Sequence, residues 1–379
     1  MLSLYFHIPF CNHKCFYCDF YSLGKFSSNQ EDSFIESLLK EIDISSKKYY
    51  KGEEIDTIFF GGGTPSVLTK ENFEKISTKI KDVFNLSNNI EWTVECNPES
   101  ITNEKLNTYL EKGVNRLSIG AQSFNSDELV FLERIHKEGE ISDKFNLARD
   151  AGFKNINIDL IFSLPNQKKE VWLNTLNSVF DFNPEHISAY SLIFEEKTKL
   201  FKKFEKGIIK PNQPEFEQEL YLETIELMNN NGYLQYEVSN FAKEGFDCRH
   251  NLNYWYGINY LSFGPSAHSY IGNNRFWNFR NLNKYNSLLA NDIIPVESEE
   301  ILNEYNKISE CIYLNLRAKG INIIEFQNRF KLDILNLLKT KLPFLLDEFI
   351  IFENNFLKLN KKGYSMADEV ALKIIEKIN

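Results

Sequence analysis

Cys11, Cys15 and Cys18 fall within HIPFCNHKCFYCDFYS at the spacing CxxxCxxC, and no other feature constrains the fold as tightly, because the surrounding chain must present three thiols to one centre. Thiolates are soft ligands that select iron-sulfur clusters or zinc, and a complete site of either kind takes four protein ligands. Cys96, Cys248 and Cys311 are isolated at long, irregular distances, so the fourth ligand must come from something else. With 6 cysteines in 379 residues, two more at fixed spacings behind a first arise by chance in about one or two chains in a thousand. On spacing alone, the competing reading is a zinc site completed by a histidine, with His7 and His13 as candidates. A secreted disulfide framework fits poorly. The chain is long, sparse in cysteine and opens into MLSLYFHIPF without a cationic n-region or a long apolar run, so it reads as cytoplasmic and reduced.

At 379 residues and 42% hydrophobic content the chain can bury a full α/β core and leave material for a second, smaller unit. The net charge of −10 argues against a nucleic-acid surface, which needs a basic stripe to displace phosphate counterions. No stretch approaches the ~20 apolar residues that span a bilayer, so no integral membrane segment is expected.

Strand-like and helix-like segments alternate through the first half, the pattern of parallel βα units. The strand candidates are Ser3 to His7, Ile55 to Phe60, Ile90 to Glu95, Arg116 to Ala121, Ile156 to Ile161 and His186 to Ser191. Between them, Phe34, Leu38, Leu39 and Ile42, and then Phe73, Ile76, Ile80 and Phe84, mark buried helical faces by their spacing. Right-handed crossovers curl six such units into an open barrel, whose chemistry gathers at the C-terminal strand ends. There the sequence places the cysteines, then Gly61, Gly62, Gly63, Thr64 and Pro65, then Glu95 and Gln122, with Asp159 in the fifth strand. Taken singly, the glycine run reads equally as a tight turn, and Glu95, Gln122 and Asp159 as solvated or capping residues. Their shared rim argues for a site.

YFHIPFCNHKCFYC, FFGGGTPS, ECNPES, RLSIGAQSFN, ERIH and INIDLIFSLP together resemble the successive signatures of radical S-adenosylmethionine (SAM) enzymes. The branch they resemble contains the oxygen-independent coproporphyrinogen III dehydrogenases and the related heme chaperones of HemW type. The resemblance implies a partial (β/α)6 barrel with a [4Fe-4S] cluster on Cys11, Cys15 and Cys18. S-adenosylmethionine would chelate the open iron, which accounts for the missing fourth ligand. Position by position, it implies that Tyr5 and Tyr17 lie against the cofactor, Gly62, Gly63 and Thr64 along its methionine part, and Glu95 near its charged groups. Gln122, Arg134 and Asp159 complete the matches, with Ile193 and His268 in looser alignment. It also implies an electron donor and reductive cleavage of the sulfonium bond to a 5′-deoxyadenosyl radical.

Three features depart from the dehydrogenase pattern toward the chaperones. Phe20 stands where those enzymes carry a further cysteine, the first strand begins almost at Met1, and residues 250–255 spell HNxxYW, a signature associated with the HemW-like group. Read from residues alone, His250, Tyr254 and Trp255 form either an aromatic core strand or a heme contact, with the imidazole on iron or a propionate and the rings against the macrocycle. From about Pro295 the parallel pattern gives way to helices at Ile308 to Leu316, Ile323 to Phe330 and Leu332 to Leu346, a hairpin at Phe349 to Leu359 and a last helix near Asp368 to Ile378, a winged-helix-like arrangement. Its charges balance, 12 Lys and Arg against 12 Asp and Glu from Ser298 on, which suits a lid or docking unit better than a DNA reader.

The expected organisation is therefore a barrel at 1–235, a barrel-extending segment with HNxxYW at 236–295 and a mainly helical domain at 296–379. The expected function is carriage of heme to recipient haemoproteins. The alternatives are coproporphyrinogen III decarboxylation and a zinc-stabilised barrel without radical chemistry.

Overall fold

A computed structural model describes residues 1–378. Two units emerge, each built from two stretches of chain: Met1–Asn212 with Asn259–Ile301, and Gln213–Ile258 with the chain from Leu302 onward. The segment expected to extend the barrel at 236–295 thus meets a division at residue 259. Its later part belongs with the barrel, and HNxxYW belongs with the C-terminal helices.

In the first unit, β1 (Leu2–Ile8), β2 (Ile55–Gly62), β3 (Leu86–Cys96), β4 (Arg116–Gln122), β5 (Ile156–Phe162) and β6 (His186–Ser191) pair in parallel in chain order. The connecting helices are α1 (Ser28–Tyr49), α2 (Lys70–Val83), α3 (Asn103–Lys112), α4 (Ser126–Phe131), α5 (Glu138–Ala151) and α6 (Lys169–Phe182). A capping box at Ser27 and Gln30 starts α1, Thr69 caps α2, and Gly113 and Gly152 end α3 and α5 in left-handed geometry. The buried stripe of α1 is Phe34, Ile35, Leu38 and Ile42, whereas Leu39 is only half-buried.

Alternation along the strands sorts the residues into two layers. Leu4, Phe6 and Ile8 of β1 are fully buried; Phe6 stacks on Phe60 and Phe263, and Phe60 meets Phe73 of α2. The other face is polar: Ser3 accepts from Thr57 at 2.9 Å, and Arg116, Ser118, Asn157, His186 and Ser188 are buried. Asn157 Nδ2 donates to Ser118 Oγ and Asp159 Oδ1, both at 2.7 Å, while its Oδ1 lies 2.6 Å from His186 Nδ1. These bonds offset the cost of burying Asn157, Asp159 and Ser118 and give the barrel a polar floor.

Residues 259–301 extend the sheet beyond β1. Tyr260–Phe263 lies parallel to β1, followed by antiparallel strands His268–Ile271, Asn274–Asn278 and Val296–Ile301. Glu41 of α1 fastens this extension, accepting from Gly264 N–H (2.7 Å), Asn278 Nδ2 (2.5 Å) and the Tyr285 hydroxyl (2.6 Å) at 1% exposure.

The second unit packs around Ile312, Leu316, Phe326, Leu338, Leu345, Leu357, Ala371 and Ile374. The expected helix at Leu332 to Leu346 is two, Ile334–Lys341 and Pro343–Glu348, because Pro343 starts a new first turn. The hairpin pairs Ile350–Glu353 with Phe356–Leu359, leaving Phe349 outside the strand, and turns at Asn354 and Asn355 with φ of 50° and 67°, as a type I′ turn requires. Ile321–Asn322 adds the third strand of this small sheet.

Replacing Glu41 by Ala strips the shared acceptor from three enclosed donors and should lower unfolding free energy by about 3 kcal/mol, read from a denaturant midpoint. Burial pushes the Glu41 carboxyl from its ordinary 4.5 up to about 7, against the hydrogen bonds from Tyr285, Gly264 and Asn278. The folded state then holds a proton that the unfolded state releases, so the Glu41 contribution is whole below pH 4.5 and shrinks as pH rises to about 7. Glu41→Gln should flatten that slope in unfolding measured from pH 4.5 to 7.5.

Candidate functional site

The loop after β1 is closed at its base. Cys11 N–H donates to Leu23 O at 3.0 Å, Leu23 N–H donates to Pro9 O at 2.8 Å, and Cys18 N–H turns back to Cys15 O at 3.2 Å. Phe16 plugs the loop into an apolar cluster with Leu132, Ile161, Leu164, Leu192 and Leu200, with Tyr17 at its edge. The sheet extension holds the far side: Arg280 binds the carboxylate and carbonyl of Asp19, and Leu282 N–H donates to the Tyr21 hydroxyl at 2.7 Å.

The glycine run lies against this loop. Gly63 N–H donates to Ile8 O (2.8 Å) and Thr64 N–H to Phe10 O (2.7 Å). A Cβ on Gly63 would stand 2.5 Å from Phe10 O, and one on Gly62, whose φ is +100°, would stand 2.5 Å from the His7 ring. Both positions demand glycine for backbone packing, as well as opening the wall above them.

One cavity of about 500 Å³ sits at this end of the barrel, and its wall includes Cys11, Cys15, Cys18, Tyr17, Gly62, Gly63, Thr64, Glu95, Gln122, Arg134 and Asp159. Ile193, 65% exposed, stands at the same wall. Tyr5 is not among the lining residues; it stays inside the barrel, stacked on Phe59 with its hydroxyl 3.3 Å from His7 Nδ1. His268 is exposed, stacks on Trp277 and does not line the cavity. Gln122 adopts φ of 69° at a bulge in β4, a left-handed position uncommon for a residue with a side chain and held here at the cavity wall.

The zinc reading finds its histidines engaged. His7 Nε2 donates to Tyr21 O at 2.7 Å, and burial lowers this imidazole to about 4, while His13 Nε2 lies 3.1 Å from Glu133 Oε2. Their surroundings hold the thiols in the protonated form. Burial pushes Cys15 up and Cys18 to about 11, partly against Arg134 beside Cys15 and the Phe20 backbone beside Cys18. Loading a cluster would therefore release protons from these thiols. Burial opposes the charge of Arg134, and Tyr17, Cys15 and Glu99 around it outweigh that.

Across the cavity stand two recessed carboxylates. Burial raises Glu95 to about 8, with Asp159 adding to the rise and Gly62 N–H and Arg116 opposing it; burial raises Asp159 too, against bonds from Ser118, Ser188 and Asn157. Two carboxyls that share an enclosed wall suit a cationic guest, which returns both to the charged form. The amino and sulfonium groups of S-adenosylmethionine have that character, and Arg134 offers a guanidinium for a carboxylate. The residues present fit both groups.

Asn97, Ser118, Gly120, Tyr190 and Leu192, none of them a site candidate from sequence, line the cavity as well. Asn97 lies inside ECNPES, directly after Glu95 and Cys96, and its place just beyond a strand end was the available signal.

His250 lies in the second unit, within a helix, Arg249–Trp255, where an aromatic strand had been the alternative to a heme contact. His250 and Tyr254 fall one turn apart, with Nε2 2.9 Å from the hydroxyl and the rings edge-on at 4.9 Å. The imidazole is 1% exposed. Asn315 Nδ2 donates to Trp255 O at 2.7 Å, and Val238 N–H to Arg317 O at 2.8 Å, tying this segment to the helix Glu304–Leu316 and the turn beyond it.

Comparison with known proteins follows the same lines. Residues 5–179 match the Radical SAM superfamily. The heme chaperone HemW of Bacillus subtilis (strain 168) is 35% identical over 375 residues, 98% of each chain, and that of Lactococcus lactis subsp. lactis (strain IL1403) is 32% identical over 98% of this chain and 97% of its own. Among solved structures, coproporphyrinogen III oxidase (HemN) from Escherichia coli superposes with a TM-score of 0.85 at 23% identity, covering 98% of this chain and 89% of that one, a likeness of fold.

Because a cationic guest binds the ionised form of Glu95, its affinity should rise with pH up to about 8, and binding at pH 7 should expel protons. Calorimetry with S-adenosylmethionine in buffers of different ionisation heat reads that release, and Glu95→Gln should abolish most of it.

Proposed function

We propose, on the premise that this chain belongs to the HemW heme-chaperone family within the radical S-adenosylmethionine superfamily, that it holds a [4Fe-4S] cluster and S-adenosylmethionine in the barrel cavity and passes heme to recipient haemoproteins. One observation carries the cofactor half: three thiols, Arg134, Glu95 and Asp159 share the wall of a single cavity. Cys11, Cys15 and Cys18 would be the cluster ligands. The carboxylates Glu95 and Asp159 would face the cationic groups of S-adenosylmethionine, and Arg134 its carboxylate. Bound there, the pair supplies one-electron chemistry at the sulfonium carbon.

The chain's own share is orientation and exclusion of water. Phe16 and its apolar cluster hold the cysteine loop, and the polar floor beneath Asp159 fixes that carboxylate through Ser118 and Asn157. An electron donor to the cluster is required, and thiolate ligands would need a reducing compartment such as the cytoplasm.

The heme half follows from the relatives. On this reading His250 would contact heme, with Tyr254 releasing the imidazole, since the bond between them occupies Nε2. Phe20, 66% exposed at the cavity wall, supports the chaperone reading over the dehydrogenase one because it offers an aromatic face and no thiol.

The deciding experiment gives anaerobically reconstituted protein reduced coproporphyrinogen III, S-adenosylmethionine and an electron source, alongside a heme titration. Saturable heme binding without protoporphyrinogen is the expected result; turnover from an intact cluster would make the protein a dehydrogenase. Cys15→Ser should lose the cluster while the barrel stays folded, since the ligands lie on a loop. His250→Ala should keep the cluster and weaken heme attachment, read from the heme absorption spectrum.

A further inference from the structure

Asn97 has so far been given no function, yet both ends of its side chain are committed. Arg134 Nη2 donates to Asn97 Oδ1 at 2.6 Å and to Gly120 O at 2.8 Å. Asn97 Nδ2 donates to Thr64 Oγ1 at 3.0 Å, and Thr64 Oγ1 donates to Cys11 Sγ at 3.4 Å. At the opposite end, Arg134 Nη1 approaches Cys15 Sγ at 3.9 Å. The series runs unbroken from one cysteine sulfur to another.

Its polarity is fixed by chemistry. A guanidinium has donors only, so the amide must turn its oxygen to Arg134 and its NH2 to Thr64. The Thr64 hydroxyl, already accepting from that NH2, has its single proton left for the acceptor on its other side, the sulfur of Cys11. The backbone keeps the amide in place: Asn97 N–H donates to Ser66 Oγ at 3.3 Å, and Asn97 O accepts from Ser100 N–H at 3.0 Å and Ser100 Oγ at 2.8 Å. Thr64 is itself 3% exposed, with its N–H on Phe10 O, so water does not compete for the hydroxyl.

We propose that Asn97 is a positioning residue that sets the direction of this chain, so that a proton is donated to sulfur at both of its ends, from Thr64 to Cys11 and from Arg134 to Cys15. The inference rests on the reading that these thiols hold the [4Fe-4S] cluster. Hydrogen bonds to cluster sulfurs favour the more negative, reduced state and raise the reduction potential. Asn97 reaches no cluster atom; it acts through Thr64 and Arg134.

Asn97→Asp tests the polarity with little change of shape. A carboxylate accepts from both neighbours, so the Thr64 proton turns away from Cys11. Thr64→Val removes the same proton without adding charge, and Thr64→Ser keeps it. The measurement is a redox titration of the cluster followed by electron paramagnetic resonance, on anaerobically reconstituted full-length protein without S-adenosylmethionine, after iron and sulfide analysis. At the native midpoint, N97D and T64V should each lower the ratio of reduced to oxidised cluster about tenfold, about 59 mV for one electron, while T64S titrates as the native protein does. A native potential in either N97D or T64V, with iron and sulfide complete, would overturn the assignment of Asn97 alone. Failure of the unsubstituted protein to take up iron and sulfide in the proportions of a [4Fe-4S] cluster would overturn the cluster reading and this inference with it.

Discussion

The pairing of β1 with β2 does not stop where the strands end, and the site depends on that continuation. Gly63 and Thr64 donate to Ile8 and Phe10, carrying two more backbone bonds past the barrel rim and into the cysteine loop. The bonds can form only because Gly62 tolerates a positive φ over the His7 ring and Gly63 has no Cβ to strike Phe10 O. Thr64 is thereby delivered to Cys11, and the wall on which the thiols and the glycine run meet becomes a single surface. Without this continuation the loop would keep its tethers at Leu23, through Phe16 and from the later sheet extension, but not its contact with the glycine run.

A second constraint comes from the inward faces of the strands. Parallel barrels usually fill their interiors with branched apolar side chains, whereas here Asn157, Asp159, His186 and Ser188 share the space in a hydrogen-bonded set, with the buried Arg116 close to Asp159 and His186. Burying such groups costs free energy unless each is partnered. In return the floor of the cavity is polar and stiff, and Glu95 and Asp159 are held in surroundings that raise their proton affinity. The apolar outward faces against α1, α2 and α3 supply the compensating burial.

Much of this was legible in the sequence because local periodicity and unusual residues coincide. Six strands stand at the expected places, His186–Ser191 with the expected bounds; the cysteines, Gly62, Gly63, Thr64, Glu95, Gln122 and Asp159 gather at one wall as the shared rim implied, and Arg134, which only the family resemblance pointed to, joins them. Other features were hidden for physical reasons. Alternation puts Tyr5 on the inward face of β1 with Ser3 and His7, but the stacking of its ring on Phe59 is a tertiary contact that the sequence does not display. The HNxxYW segment forms a helix because His250 and Tyr254 sit one turn apart, a spacing that its aromatic content obscured. Asn97 stands in ECNPES with no residue pattern to single it out, and only tertiary contacts with Arg134 and Thr64 give it meaning.

The order in which the chain visits its two units bears on how the site can be made. The polypeptide leaves the barrel after Asn212, returns at Asn259 and leaves again after Ile301. Arg280 and Leu282, which hold Asp19 and Tyr21, belong to the return, so during synthesis the cysteine loop waits for more than 260 later residues before its far side is fastened. A ribosome-bound chain that stops at β6 has all three thiols and no clasp for them. The far side of the cysteine loop is therefore fastened only once residue 282 of 379 has been added, and neither unit can be severed from the other with a single cut.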